Sequence, residues 1–407
     1  MWNKDARFQI HWEPSDKCNA ACPMCPRYTD DGFEIDGLVK KEWTLESFRK
    51  AFDEDFITRY LKKILACGNY GDPCACREFV DIYEYVRSVS PHIGLACNTN
   101  GSLRTPDWWR RLGAVMTEEQ NSGNYCTFSI DGLEDTNHLY RRRTNFKKIM
   151  ENAQAFIDAG GIAHWDFIVF EHNEHQVEEA KNLAIKMGFK NFNIKRTTRW
   201  KDYNENSIGS YPVYEKGEHI YDLVQPSEKA FQHNFEDATY FKRQNVQSIT
   251  LDDFKNYKGK PNADRRFVNG KWELINLRKV NVACRSVACA RDEQYNNEFY
   301  VSADGFIAPC CFLGSEPFRG STRSRDENYL KMIDIDGGKE AFNVHNHDIR
   351  DILEKDLFKK MLPWSWKKKG NLDMKPKKCA VCCGVEWNNL DFGELGDKSN
   401  SYLDKDK

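Results

Sequence analysis

Short apolar segments alternate with amphipathic segments along the first half of the chain, and this alternation limits the fold more than any other feature. Apolar runs that predict strands begin within residues 8–14, 60–69 and 93–101, and amphipathic stretches that predict helices separate them. Six such strands can be counted up to residue 197, at a spacing of roughly 30 residues. This pattern favours βαβ units, so we predict an α/β fold with parallel strands, helices outside and chemistry at the carboxyl ends of the strands.

Composition excludes several classes of protein. The 407 residues include 60 Lys and Arg against 62 Asp and Glu, so we expect neither nucleic acid nor an anionic membrane as a partner. The sequence contains no apolar run near the roughly 20 residues that cross a bilayer, and its first residues do not resemble a signal peptide. We therefore expect a cytoplasmic protein. In that reducing compartment, the 15 cysteines indicate metal ligands or catalytic groups before disulfides.

The first cysteine group forms a C-x3-C-x2-C loop directly after the first predicted strand, with Cys18, Cys22 and Cys25. Three thiolates on one short loop can converge on a [4Fe–4S] cluster and leave one iron without a protein ligand. A zinc site prefers paired C-x2-C units with four ligands in total. Zinc and buried structural thiols remain the alternatives for this loop.

Polar residues also mark the ends of three later strands. The first apolar strand after the cysteine loop ends in the turn 70–73, with the sequence YGDP, where a carboxylate could bind an ammonium group. The motifs CNTNG and FSIDG end the next two predicted strands. A run of arginines follows FSIDG and could pair with a ligand carboxylate. Each motif alone is also common in ordinary turns and charged surfaces. The candidate binding residues are Tyr70, Gly71, Asp72, Pro73, Asn98, Asn100, Ser129, Asp131 and Arg141.

These motifs, in this order, resemble the radical S-adenosylmethionine (SAM) enzymes over roughly residues 8–200. The resemblance implies a partial (β/α)6 TIM-like barrel in residues 1–205, with a [4Fe–4S] cluster on the three loop cysteines and the methionine part of SAM on the fourth iron. It also implies that Asp72 and nearby backbone hold the amino group of SAM, and that Ser129 and Arg141 approach its carboxylate or ribose. Asn98 and Asn100 would be further contacts at the rim.

Two positions depart from the usual pattern of that family. The turn reads YGDP where the family has a GGEP-like turn, which keeps the carboxylate, one glycine and the proline. Met24 stands before the third cysteine, where an aromatic residue is frequent; a methionine can still pack on adenine.

A second cysteine-rich region follows a long cysteine-free stretch. It resembles the SPASM or shorter twitch extension of radical SAM enzymes, and we assign it to a small α+β domain at residues 281–395 with one auxiliary [4Fe–4S] cluster. A zinc ribbon is the alternative. The expected ligands are Cys289, Cys310, Cys379 and Cys382. Cys284 could replace Cys289, Cys311 could replace Cys310, and Cys383 could replace Cys382. The other five cysteines are expected to be core or loop thiols: Cys67, Cys74, Cys76, Cys97 and Cys126.

The remaining segments have weaker signals. Residues 206–280 are polar and aromatic, and form either a linker or a substrate-facing insertion. EFYVSADGFIAPCC predicts a hairpin turning at Ala303-Asp304-Gly305, and IRDILEKDLFKKML predicts a helix. Residues 396–407 are expected to be a disordered tail.

The resemblance implies a reaction class but no substrate. An electron donor such as flavodoxin or ferredoxin would supply the electron that cleaves SAM to a 5′-deoxyadenosyl radical, which abstracts hydrogen from a substrate carbon. The auxiliary cluster would assist, in peptide or protein modification or in oxidation of a small molecule. No catalytic side chain is assigned. The alternatives are a non-enzymatic iron–sulfur or zinc protein with a redox or scaffold role, and a sulfur-inserting radical SAM enzyme.

Overall fold

A computed structural model provides the structure, and it describes most of the first half of the chain and parts of the second. The described residues are 7–195, 197, 199–200, 209–232, 265–268, 271–274, 280–282, 298–315, 326–366, 375–376, 378–379 and 384–386. The predicted tail at 396–407 lies outside them.

The main element is an eight-stranded sheet with the order β13-β12-β1-β2-β3-β4-β5-β6. Every pair in it is parallel except β12 with β13. Its strands are β1 (Phe8–Trp12), β2 (Leu61–Ala66), β3 (Gly94–Thr99), β4 (Tyr125–Ser129), β5 (Ala163–Ile168), β6 (Asn191–Lys195), β12 (Glu298–Val301) and β13 (Ile307–Ala308).

Helices connect the parallel strands, as the alternation in the sequence predicts. They are α1 (Leu45–Ala51), α2 (Glu54–Tyr60), α3 (Phe79–Val89), α4 (Pro106–Val115), α5 (Asn137–Tyr140), α6 (Phe146–Asp158) and α7 (Val177–Met187). The predicted α/β fold is therefore confirmed. Among the described strands the sheet stays open, with β13 and β6 at its edges, as in a partial barrel.

Side-chain alternation gives the sheet two different faces. On β5, Trp165 and Phe167 are fully buried against the helices, whereas His164, Asp166 and Ile168 are only half-buried. A strand whose odd and even residues differ in this way packs one face on the core and leaves the other accessible. The accessible face is where a partial barrel can admit a ligand.

A strand from the C-terminal part of the chain pairs with the first strand. Strand β12 pairs in parallel with β1, with Gln9 opposite Glu298, and then turns back as β13. The turn uses Gly305 at φ 88°, a left-handed conformation that favours glycine. The sequence predicts this hairpin, but its pairing with β1 is visible only in the structure.

The predicted helix over IRDILEKDLFKKML is interrupted. It consists of α10 (Ile349–Leu353), a π-helical turn (Leu357–Met361) and α11 (Leu362–Trp366). The amide of Leu357 donates to Asp336 Oδ2 at 2.7 Å. This tertiary hydrogen bond uses an N–H group that a continuous helix would bond to its own backbone. The shorter helices α8 (Cys311–Gly314) and α9 (Glu327–Ile335) precede it.

Three two-stranded pairs complete the described elements. β7 (Ser210–Glu215) and β8 (Glu218–Val224) form a hairpin, as do β9 (Arg265–Val268) and β10 (Lys271–Leu274), and β11 (Val280–Val282) pairs with β14 (Gly384–Glu386). No helix in the described parts of the chain is long and apolar enough to cross a membrane.

Candidate cofactor and cluster site

The three-cysteine loop leaves the carboxyl end of β1 and is ordered by short backbone bonds. The amide of Cys25 donates to the carbonyl of Cys22 at 3.0 Å, and the amide of Ala21 donates to the carbonyl of Arg142 at 2.9 Å. Two of the three sulfurs already accept N–H groups. Cys18 Sγ accepts from the amide of Ala20 at 3.4 Å, and Cys22 Sγ lies 3.7 Å from Arg141 Nη1.

These sulfur contacts fit an iron–sulfur cluster. Cluster thiolates are stabilised by hydrogen bonds to sulfur, which also tune the reduction potential. Burial raises the pKa of the Cys18 thiol and raises the pKa of Cys22 to about 11. Both thiols therefore stay protonated near neutral pH unless a metal displaces the proton, as iron ligation does.

The carboxylate of Asp72 is buried and organises the neighbouring strand end. It accepts hydrogen bonds from Thr99 Oγ1 at 2.9 Å, from the amide of Cys74 at 2.9 Å, and from the amide and Nδ2 of Asn100 at 2.8 and 2.7 Å. Asn100 Nδ2 in turn lies 3.8 Å from Cys18 Sγ. Asp72 thus links the YGDP turn, the TNG turn and the cysteine loop. That it also binds the amino group of SAM remains a prediction.

Glu13, at the end of β1, holds the YGDP turn in place. Its Oε1 accepts from the amides of Tyr70 and Gly71 at 2.7 and 2.9 Å, and its Oε2 accepts from the hydroxyl of Tyr300 on β12. A Cβ on Gly71 would lie 1.8 Å from the carbonyl oxygen of Ser15, so only glycine fits there. Pro73 then starts a 3-10 turn (Pro73–Ala75).

Arg27, two residues beyond the third cysteine, is a second support for the same turn. Its Nη1 donates to the carbonyl of Tyr70 at 3.1 Å and to the carbonyl of Asp16, while its Nη2 donates to Glu34 Oε1 at 2.7 Å. Neither Glu13 nor Arg27 is among the residues predicted from the sequence. A charged residue directly after an apolar strand, as in QIHWEP, was the available signal for Glu13.

The FSIDG motif places its two candidates differently. Ser129 is half-buried at the end of β4, facing the accessible side of the sheet with Asp166 as its register partner. Asp131 is fully buried, and its Oδ2 accepts from Arg141 Nε at 2.5 Å. Asp131 therefore contacts Arg141, and Arg141 in turn contacts the cysteine loop.

An aromatic layer covers the cysteine loop. Met24 is buried in a cluster with Tyr140, Phe170 and Trp200, and Val213 of the β7–β8 hairpin joins it. The hairpin is also bonded to the loop, because the hydroxyl of Tyr211 donates to the carbonyl of Pro23 at 3.3 Å. This part of the 206–280 segment therefore packs on the candidate cluster loop.

The accessible face of the sheet is polar. His164 stacks on Tyr125 with ring centroids 5.0 Å apart, and Asp166 accepts from Asn193 Nδ2 at 2.8 Å and lies 3.3 Å from Lys195 Nζ. Asn98 is half-buried on β3 near the same rim. In a closed barrel, the corresponding face of the sheet is the barrel interior, which branched apolar side chains normally fill. Polar side chains here indicate a surface for a polar ligand.

The second cysteine region is described in part. Cys310 is half-buried at the start of α8, Cys379 is buried, and both pack on the main core. Helix α8 and the residue after it lie against the YGDP turn and the residue before it. Asn69 Nδ2 donates to the carbonyl of Cys311 at 2.8 Å, and the hydroxyl of Tyr70 donates to the carbonyl of Ser315 at 2.9 Å. The other expected ligands and their alternatives lie outside the described residues: Cys284, Cys289, Cys382 and Cys383.

Residues 12–184 match the family model of the Radical SAM superfamily. The matched segment contains the cysteine loop, the YGDP and TNG turns and the FSIDG motif described above. This segment of the chain is therefore similar to the radical SAM superfamily. No curated protein matches this sequence.

The chain is similar to several solved structures. Hexahistidine-tagged anSMEcpe with bound AdoMet is similar with a TM-score of 0.51 and 16% identity, over 98% of each chain. Streptococcus suis SuiB bound to precursor peptide SuiA has a TM-score of 0.49 and 12% identity, over 93% of this chain and 71% of that one. BtrN in complex with AdoMet and 2-DOIA has a TM-score of 0.40 and 12% identity, over 95% of this chain and 99% of that one. The match to a further structure of SuiB spans 65% of the length of that protein.

Proposed function

We propose that this protein is a radical SAM enzyme that binds a [4Fe–4S] cluster through Cys18, Cys22 and Cys25 and cleaves SAM to abstract hydrogen from a substrate. The observation that carries the proposal is the link between the cysteine loop and two strand-end turns, made by Asn100 Nδ2 between Cys18 Sγ and Asp72. When bound, the cluster and SAM supply the one-electron and radical chemistry, and the protein supplies binding, orientation and exclusion of water.

The residues around the loop would hold SAM at the rim of the sheet. Tyr70, Gly71 and Pro73 supply the backbone of a turn that Glu13 and Arg27 fix from behind. Asn98, Asn100 and Ser129 would offer polar contacts to the cofactor. Met24 would pack against its adenine. The hydrogen bonds from Glu13 and Arg27 to this turn do not involve SAM, which would pre-organise the turn for binding.

We propose one auxiliary [4Fe–4S] cluster in the C-terminal region, with Cys289, Cys310, Cys379 and Cys382 as ligands. Strands β11 and β14 support this, because Val282 lies opposite Gly384 and brings the two cysteine-bearing segments of the chain together. The contacts of Cys311 with Asn69 and of Ser315 with Tyr70 would place such a cluster beside the YGDP turn. Its role would be to exchange an electron with the substrate.

The substrate is proposed to be a peptide or a polar small molecule. The polar groups on the accessible face support this choice, because Asp166, Asn193 and Lys195 can bind amide, hydroxyl or charged groups of a ligand. An apolar substrate would remove water from these polar groups and offer them no hydrogen bonds in return.

Anaerobic reconstitution tests the proposal. The protein is loaded with iron and sulfide, reduced with dithionite and mixed with SAM, and 5′-deoxyadenosine is measured. We expect about eight irons per chain, falling to about four in the triple variant Cys18→Ala, Cys22→Ala, Cys25→Ala, with product made only by the parent. Cys67→Ala, at a half-buried thiol outside the loop, is the matched control and should keep both iron and product.

Two results would reject the proposal. Zinc in place of iron at the loop would favour a structural metal protein. Intact, reduced clusters without 5′-deoxyadenosine would favour a non-enzymatic iron–sulfur protein.

A further inference from the structure

We propose that Asp131 and Arg141 form a unit that holds a positive charge against the sulfur of Cys22 and thereby raises the reduction potential of the cluster on the cysteine loop. The inference rests on the proposed function, since it assumes that this loop binds the cluster. It assigns to Arg141 a role toward the cluster instead of toward the carboxylate of SAM.

The geometry of Arg141 carries the proposal. Its guanidinium uses Nη1 toward Cys22 Sγ at 3.7 Å and Nε toward Asp131 Oδ2 at 2.5 Å. The two contacts use separate nitrogens, so the planar group can make both at once. The side chain of Arg141 is 16% exposed and that of Asp131 is fully buried, so water screens this charge poorly.

Asp131 is itself fixed on several sides. Its Oδ1 accepts from the amide of Ile168 at 2.5 Å, its amide donates to Asn137 Oδ1 at 2.9 Å, and its carbonyl accepts from Asn173 Nδ2 at 2.9 Å. A carboxylate held in this way has no freedom to reach a ligand. Asp131 is therefore a positioning residue that acts through Arg141.

The expected effect on the cluster follows from charge. Reduction adds an electron to the cluster, and a nearby cation stabilises the reduced state more than the oxidised state. Hydrogen bonds to cluster sulfurs act in the same direction. Arg141 supplies both: its Nη1 faces Cys22 Sγ, while Asp131, which offsets part of the charge, contacts Nε. Arg142 and Arg143 instead pair with Glu215.

The test measures the midpoint potential of the cluster by redox titration followed by electron paramagnetic resonance (EPR), without SAM. The relevant signal is the one that the variant lacking all three loop cysteines loses. We expect Arg141→Gln to shift this potential to a more negative value. Arg142→Gln, the matched control, removes a neighbouring charge and should leave the potential unchanged.

A double-variant cycle tests the pairing with Asp131. If Asp131 holds the guanidinium at the sulfur, Arg141→Gln should shift the potential less in an Asp131→Asn background than in the parent. Equal shifts in the two backgrounds would overturn the positioning role.

A SAM-binding measurement on the same proteins separates the two roles of Arg141. Weaker SAM binding by Arg141→Gln with an unchanged SAM-free potential would assign Arg141 to the cofactor and overturn the proposal. If Arg141→Gln does not retain iron, Arg141→Lys replaces it. One ammonium group cannot reproduce both guanidinium contacts, so we expect a smaller negative shift, and a potential equal to that of the parent would overturn the proposal.

Failure of the proposed function gives a different result. In that case the parent itself binds no iron at the loop or makes no 5′-deoxyadenosine, whatever residue stands at position 141.

Discussion

Replacing Glu13 tests whether the YGDP turn depends on one buried carboxylate. The side chain is 1% exposed and accepts from two backbone amides and one hydroxyl, those of Tyr70, Gly71 and Tyr300. Glu13→Ala leaves these donors without their acceptor. A buried donor without a partner costs about 1–3 kcal/mol, so loss of the two amide bonds should destabilise the turn locally by about 3 kcal/mol.

Glu13→Gln is the matched control for that change. The glutamine oxygen can accept from both amides, and its NH2 group occupies the position of the second oxygen. Burial raises the pKa of Glu13, which means that the ionised form is costly to hold in this position. Removing the charge should therefore cost little, and we expect a local change within about 1 kcal/mol.

Amide hydrogen exchange of the reconstituted protein, read on peptides that cover residues 66–76, measures this local stability. We expect exchange about a hundredfold faster in Glu13→Ala, since each 1.4 kcal/mol corresponds to about tenfold. Glu13→Gln should stay within about tenfold of the parent on the same scale. Equal protection of this segment in the alanine variant and the parent would refute the assigned role of Glu13.

Three further changes have defined outcomes. Arg27→Ala should lower the free energy of unfolding by about 2–3 kcal/mol in anaerobic urea titrations, because the carbonyl of Tyr70 loses a buried donor. Gly71→Ala should abolish SAM binding in equilibrium dialysis, because its Cβ would lie 1.8 Å from a backbone oxygen, whereas Gly209→Ala, with nothing within 4 Å, should bind normally. Burial lowers the pKa of His172 from 6.5 to about 4, so the folded state resists protonation and loses stability as pH falls from 6.5 toward 4. Thermal unfolding of His172→Gln should be less dependent on pH across that range.

The fold could be predicted because its signals are local. Apolar periodicity places each of the first six strands, and βαβ connection then leaves few arrangements of them. The hairpin at Gly305 was equally visible. The pairing of β12 with β1 was not, because no local pattern records which distant segment completes the edge of a sheet.

The candidate site divides in the same way. The motifs identify Asp72, Asn100 and Arg141 as polar groups at strand ends, but the sequence cannot say which partner each one faces. Asp131 stands in a motif beside cofactor candidates, yet the structure places it behind Arg141. Tyr300, which bonds Glu13, is 287 residues away in sequence, so that pair has no local signature.

The β7–β8 hairpin is the case where an available signal was missed. The segment VYEKGEHIY has β-branched and aromatic residues on both sides of Lys216-Gly217. Both turn residues have positive φ, 52° and 88°, as two-residue hairpin turns require. The polar composition of its surroundings obscured a short hairpin that packs on the cysteine loop.

The pairing of β12 with β1 also affects how the protein is made. Gln9 and Glu298 bond across a separation of 289 residues, so the ribosome must add that much chain before the first strand acquires this neighbour. At about 5–20 residues per second, the delay is roughly 15–60 seconds. Throughout that time one edge of β1 remains open to pairing with other chains, and the hydroxyl that completes the contacts of Glu13 does not yet exist. The YGDP turn is therefore among the last parts of this sheet to gain its full set of contacts.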